Sequence, residues 1–125
     1  MEYLLPSAEM VEDIHDIVLN PGELPGRARD KSLESALARV ENRLAYGMIE
    51  DVYALAAAYA MAVAQGHCFN DANKRTAYRV MQVVLDWNGG TEPDVPEDVI
   101  GQKIIALAQG HIDDGHLAEW LRERA

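Results

Sequence analysis

The sequence predicts an all-α protein, a compact helical bundle of five to seven helices. Three observations carry this. Apolar residues recur at spacings of three and four in several separate stretches, which lines one face of a helix. Segments containing Gly and Pro separate those stretches and interrupt helices there. No stretch sustains the apolar–polar alternation of a half-buried strand. The 125 residues are expected to form one domain, 1–125, with a core that needs no disulfide or metal.

In chain order, Ser7 with Glu9 behind it reads as a helix start, an N-cap followed by an acid in the first turn. Met10, Ile14, Ile17 and Val18 then share a face, and Asn20-Pro21-Gly22 ends the helix. Residues 20–31 carry two prolines and two glycines and predict a loop or small hairpin, long enough to be functional. Ser32 or Asp30 caps a second helix with Leu33, Ala36, Leu37, Val40 and Leu44 in phase. A third helix, from about residue 48 to 65, is rich in alanine, which permits close helix–helix approach and predicts a central position. Gly66 stands where a helix end favours positive φ. A fourth helix begins at Asn70 or Asp71, with Ala77, Val80, Met81, Val84 and Leu85 inward, and ends at Gly89-Gly90. Val99, Ile100, Ile104 and Leu107 form a fifth, closed by Gly110, and Leu117, Trp120 and Leu121 a short last one.

Composition narrows the function. A net charge of −10 disfavours general nucleic-acid binding. No apolar run approaches the roughly 20 residues of a membrane span, and the N-terminus does not read as a signal peptide. A lone cysteine, Cys68, makes no internal disulfide and favours a reducing cytoplasm; a small residue facing the interior is its simplest role. Six of the eleven Lys and Arg residues gather in two places, Lys74–Arg75–Arg79 and Arg27–Arg29–Lys31. Both are candidate anion sites, although a solvated face explains the second equally well.

The stretch Gly66-His67-Cys68-Phe69-Asn70-Asp71-Ala72-Asn73-Lys74-Arg75 concentrates chemistry. If one helix ends at Gly66 and the next is capped by Asn70 or Asp71, the N–H groups of Ala72, Asn73 and Lys74 point outward unpaired, a ready anion cradle. Lys74 and Arg75 add positive charge, and Arg grips phosphate in a bidentate way. Asp71 supplies an oxygen suited to Mg²⁺ held jointly with substrate phosphates. His67 is suited to take a proton near neutral pH. Taken singly, a loop histidine, a plain N-cap and a solvated helix face explain each residue. Their conjunction points to transfer of a phosphate-containing group to a hydroxyl. A metallohydrolase fits less well, because no second ligand stands at metal spacing; surface or capping roles suffice for His15, His111 and His116.

At these residues the chain resembles the Fic/Doc family, and more narrowly the death-on-curing (Doc) toxins of bacterial and phage toxin–antitoxin modules. The Fic motif runs His-Pro-Phe-x-(Asp/Glu)-Gly-Asn-Gly-Arg, and the Doc variant His-x-Phe-x-Asp-Ala-Asn-Lys-Arg. Residues His67 to Arg75 follow the second at every defined position. His15-Asp16, Leu24-Pro25-Gly26, Arg29-Asp30 and Leu33 to Leu37 are also Doc-like. The resemblance implies a helical fold with the motif between two central helices. It implies His67 as general base, Asp71 as Mg²⁺ ligand, and Asn73, Lys74 and Arg75 with the Ala72 amide as holders of ATP phosphates. Phe69 would be structural, and residues 21–31 a target-docking flap in which Arg27 and Arg29 are weaker candidates for contact.

Fic enzymes of the ordinary kind transfer AMP, whereas Doc toxins transfer the γ-phosphate of ATP to elongation factor Tu. Lys74 stands where AMP-transferring members carry glycine, and a long cation there would obstruct their diphosphate pocket. Tyr78 replaces the second arginine of many Fic enzymes; Arg79 beside it is turned about 100° away. No self-inhibitory Ser/Thr-x-x-x-Glu-Gly/Asn pattern is present, so the resemblance implies an antitoxin in trans, Phd-like. AMP transfer, and a non-catalytic Fic-fold binding module, are the alternatives.

Overall fold

A computed structural model describes residues 2–125. Those residues form six α-helices and no β-strand: α1 (Ala8–Val18), α2 (Leu33–Ala45), α3 (Val52–Gly66), α4 (Asn73–Trp87), α5 (Glu97–Ala108) and α6 (Asp114–Glu123). None is long and apolar enough to cross a membrane.

The helix starts follow from short polar caps. Ser7, Ser32, Asp51 and Asp113 each accept the N–H of the third residue into the helix, leaving fewer donors of the first turn unpaired. α3 starts at Val52 rather than near residue 48 because the Asp51 carboxylate caps it, accepting from Ala54 N–H at 2.8 Å. Ile49 is buried, but it belongs to the lead-in ahead of that cap.

α3 is the central helix. It packs against α2, α4, α5 and α6, and Leu55 to Ala60 are buried without a break. A helix enclosed on every side cannot show the single apolar stripe of a surface helix. Its alanines let the neighbours approach closely, while Leu55, Tyr59 and Val63 fill the spaces between them. Each fully buried side chain of that size contributes about 1.5–3 kcal/mol. α4 lies against α3 along Ala77, Val80, Met81, Val84 and Leu85, all buried as the periodicity predicts.

α1 departs from its predicted face. Ile17 is 77% exposed, and the residues turned fully inward are Val11 and His15. The helix packs mainly against α4, and its inward line runs through Val11 and His15, rotated from the apolar stripe by one position. A polar ring thus enters the core, and it has a specific partner there.

Candidate active site

The site is built from the junction of α3 and α4 and the loop between α1 and α2. Two consecutive turns of unusual backbone shape it. His67 has φ 49° and Ala72 has φ 61°, both in the left-handed region that L-residues occupy at a cost of roughly 1–2 kcal/mol. Gly66, where sequence rules place positive φ, is instead the last helical residue. Its lack of a side chain serves space: a Cβ there would lie 3.0 Å from Cys68 Sγ. α4 likewise starts at Asn73 and not at Asn70 or Asp71, because the reversal at Ala72 interposes before helical geometry begins. Asp71 is therefore not its N-cap. No side chain caps α4, so the N–H groups at its start have no side-chain partner.

The motif loop is pinned from inside. Phe69 is buried, and its ring stacks on that of His15 with centroids 3.9 Å apart and planes 8° from parallel. His15 Nε2 lies 2.8 Å from the Asp71 carbonyl oxygen. A carbonyl only accepts, so this nitrogen carries a hydrogen. His15, read from sequence as an isolated surface or capping residue, is 1% exposed and anchors the loop. Its inward position, four residues after Val11, follows from how α1 docks, because the apolar stripe of the sequence runs through Met10 and Ile14 instead.

The Asn73 side chain closes the same loop on itself. Its Oδ1 accepts from Phe69 N–H at 3.1 Å and its Nδ2 donates to Phe69 O at 2.9 Å. The backbone N–H is what this residue has left for a ligand. Cys68 is buried as expected, and burial pushes its thiol up, which makes it a poor nucleophile.

From outside, the loop between α1 and α2 pairs with the motif as a short antiparallel bridge between Arg27 and Phe69. Ala28 N–H donates to Cys68 O at 2.8 Å and Asn70 N–H to Gly26 O at 3.2 Å. Asn70 Nδ2 also donates to Pro25 O at 3.1 Å. Leu24 N–H donates to Asp71 Oδ2 at 2.9 Å. Arg27 is turned away from the site: it binds Glu12 and forks onto Glu34 at 2.6 and 2.8 Å. The pair holds Arg27 above its ordinary range and Glu34 down at about 2. Arg27 is therefore not a free cation, while Arg29 is exposed and has no ion pair among the described residues.

His67 is exposed and its ring has no hydrogen-bond partner among the described residues, so it is free to meet an incoming group. Lys74 is exposed at the first turn of α4, without an ion pair among those residues. Arg75 differs. Its Nη1 donates to Val18 O at 2.6 Å and to Glu23 Oε1 at 2.8 Å, and its Nη2 to Glu23 Oε2 at 2.5 Å. The Arg75 guanidinium holds the Glu23 carboxyl down at about 2. Nothing in the sequence singled out Glu23, an acid between two proline–glycine turns. Among the described residues no three His, Cys, Asp or Glu side chains gather as a metal site, and Asp71 stands as a single half-buried carboxylate.

Comparison with known proteins identifies related chains. The Fic/DOC family model matches residues 5–85, from just before α1 to the last turn of α4 and well over half of the chain's length. A protein of Escherichia phage P1 named protein kinase doc is 37% identical over 117 residues, covering 93% of this chain and 91% of the relative.

Proposed function

The chain belongs to the Fic/DOC family, and from that premise we propose that it is a protein kinase. It transfers the γ-phosphate of ATP to a hydroxyl of a translation factor, with elongation factor Tu as the expected target. The observation that carries this reading is the complete motif, His67 to Arg75, laid across the uncapped start of α4.

In the proposed reaction the exposed His67 ring takes the proton of the attacking hydroxyl. The hydroxyl oxygen bonds to the γ-phosphorus as the bond to the ADP oxygen breaks. The N–H groups of Ala72, Asn73, Lys74 and Arg75 face the phosphate oxygens, and the cations of Lys74 and Arg75 offset the charge that gathers there. Asp71 fits Mg²⁺, which is commonly held by one or two carboxylates together with substrate phosphates. A single half-buried carboxylate at the start of α4 meets that requirement, and the ion would neutralise charge on those oxygens.

Lys74 favours phosphoryl over AMP transfer, since its exposed side chain stands beside the anion cradle where glycine would leave room. On this reading the chain is the toxin of a toxin–antitoxin module, restrained by a Phd-like antitoxin and acting in the cytoplasm where translation occurs.

The test uses ATP labelled separately at the α and γ positions, Mg²⁺ and purified elongation factor Tu. Label from γ alone is expected on the target, and His67→Ala should slow transfer by roughly 10²–10⁴-fold. Label from α would establish AMP transfer instead. No label from either, or full transfer by His67→Ala, would remove the kinase reading.

A further inference from the structure

The loop between α1 and α2 places two consecutive residues on two charged groups of the site, Arg75 and Asp71. Glu23 presents a carboxylate to Arg75, and the Leu24 amide presents a partial positive charge to Asp71. Chemically, the carboxylate is to Arg75 what a phosphate would be, and the N–H is to Asp71 what a cation would be. We propose that Glu23 and the Leu24 amide are built-in stand-ins for the phosphate and the metal ion, so that this loop competes with the magnesium nucleotide. The proposal rests on the phosphate-binding role of Arg75 in the kinase reading.

Three features support competition over mere support of Arg75. Glu23 takes both terminal nitrogens of the guanidinium, the edge that would fork onto a phosphate. Arg75 does not need Glu23 to stay in place, because Nη1 also donates to the Val18 carbonyl at 2.6 Å. A carboxylate retained beside an incoming phosphate repels it, which favours departure over co-binding. The loop is also prepared to hold its own carboxylate: Asn20 N–H donates to Glu23 Oε1 at 2.6 Å and Asn20 O accepts from Glu23 N–H at 3.1 Å. Residues 20–23 thus form a small turn that carries the anion. Displacement moves this turn, while the Arg27 pairs with Glu12 and Glu34 keep the far end of the loop fixed to α1 and α2.

The ion pair is partly exposed, with side chains 43% and 23% accessible, so its hold is modest. A closed population of about 80–90% would weaken apparent nucleotide affinity about five- to tenfold.

The test compares wild type, Glu23→Gln and Glu23→Ala. MgATP binding is measured by calorimetry, and amide exchange of residues 20–28 by mass spectrometry. Both variants should bind MgATP about five- to tenfold more tightly, and their loop should exchange faster without nucleotide. In wild type, MgATP should speed exchange of the same loop. Unchanged or weaker binding by both variants would overturn the proposal and make Glu23 a support for Arg75. Failure of MgATP to bind any of the three chains would overturn the kinase reading itself, and this proposal with it.

Discussion

Replacing His15 by leucine tests the internal anchor of the motif. The side chain is 1% exposed, stacks on Phe69 and hydrogen-bonds the Asp71 carbonyl. Leucine roughly refills the space, so the cavity contribution is small. The carbonyl loses its partner, which costs about 1–3 kcal/mol. The ring stack is lost as well, at about 0.5–1.5 kcal/mol. Together these give a loss of roughly 1.5–4.5 kcal/mol, against a total stability on the order of 5–15 kcal/mol. The variant should therefore fold, and urea unfolding should show a lower midpoint with an unchanged slope. Amide exchange should rise in residues 67–72, which the ring pins. His15→Gln, which keeps an N–H donor, should recover part of the loss. A stability change below about 0.5 kcal/mol in His15→Leu would refute this account, since a polar contact that matters cannot cost less than its own desolvation.

Three further outcomes are expected. Ala72→Gly should raise stability by up to about 1 kcal/mol, because glycine adopts positive φ without the clash alanine suffers; a loss above about 0.5 kcal/mol in thermal or urea unfolding would contradict the strain. Arg122→Ala and Asp51→Ala should each cost about 1–2 kcal/mol and be less than additive, because the Arg122 fork at 2.7 and 3.1 Å lands on the carboxylate that caps α3; full additivity would separate the two. For pH, the Glu23 and Glu34 carboxyls lie at about 2 against an ordinary 4.5. Folded values below unfolded ones mean the stabilisation is complete above about 4.5 and disappears as pH falls toward about 2. After correction for intrinsic exchange, protection of residues 20–28 should be flat from pH 8 to 5 and weaken only in that acid window. A change between pH 8 and 6 would point to another titrating group.

The sequence carried the fold where one residue property did one job. Ser7 and Ser32 cap, and Ala77 to Leu85 turn inward on α4, because neither depends on distant parts of the chain. It misled where one residue type serves two purposes. Glycine is associated with positive φ, yet Gly66 is small because Cys68 is close, and His67 takes the left-handed turn. Asp71 resembles an N-cap by position, yet the reversal at Ala72 sends its carboxylate to a distant loop instead. The local crowd of His67, Asp71, Lys74 and Arg75 was legible as a motif. The residues that hold it, His15 and Glu23, come from 56 and 52 positions away along the chain, and no local pattern can announce such partners.

The pairing of residues 26–28 with 68–70 runs through backbone atoms, with Ala28 giving to Cys68 and Asn70 to Gly26. Peptide groups are the same in every residue, so this seam accepts many side chains. It does not accept a change of length. One residue added between Leu24 and Gly26 would carry Glu23 and Leu24 out of step with Arg75 and Asp71, or else unzip the seam to preserve them. This segment should therefore tolerate changes of side chain, apart from Gly22 and Gly26 with φ of 87° and 85°, while keeping its residue count. A library that randomises Pro21 and Pro25 at fixed length should retain many folded members, and one that inserts a single residue there few.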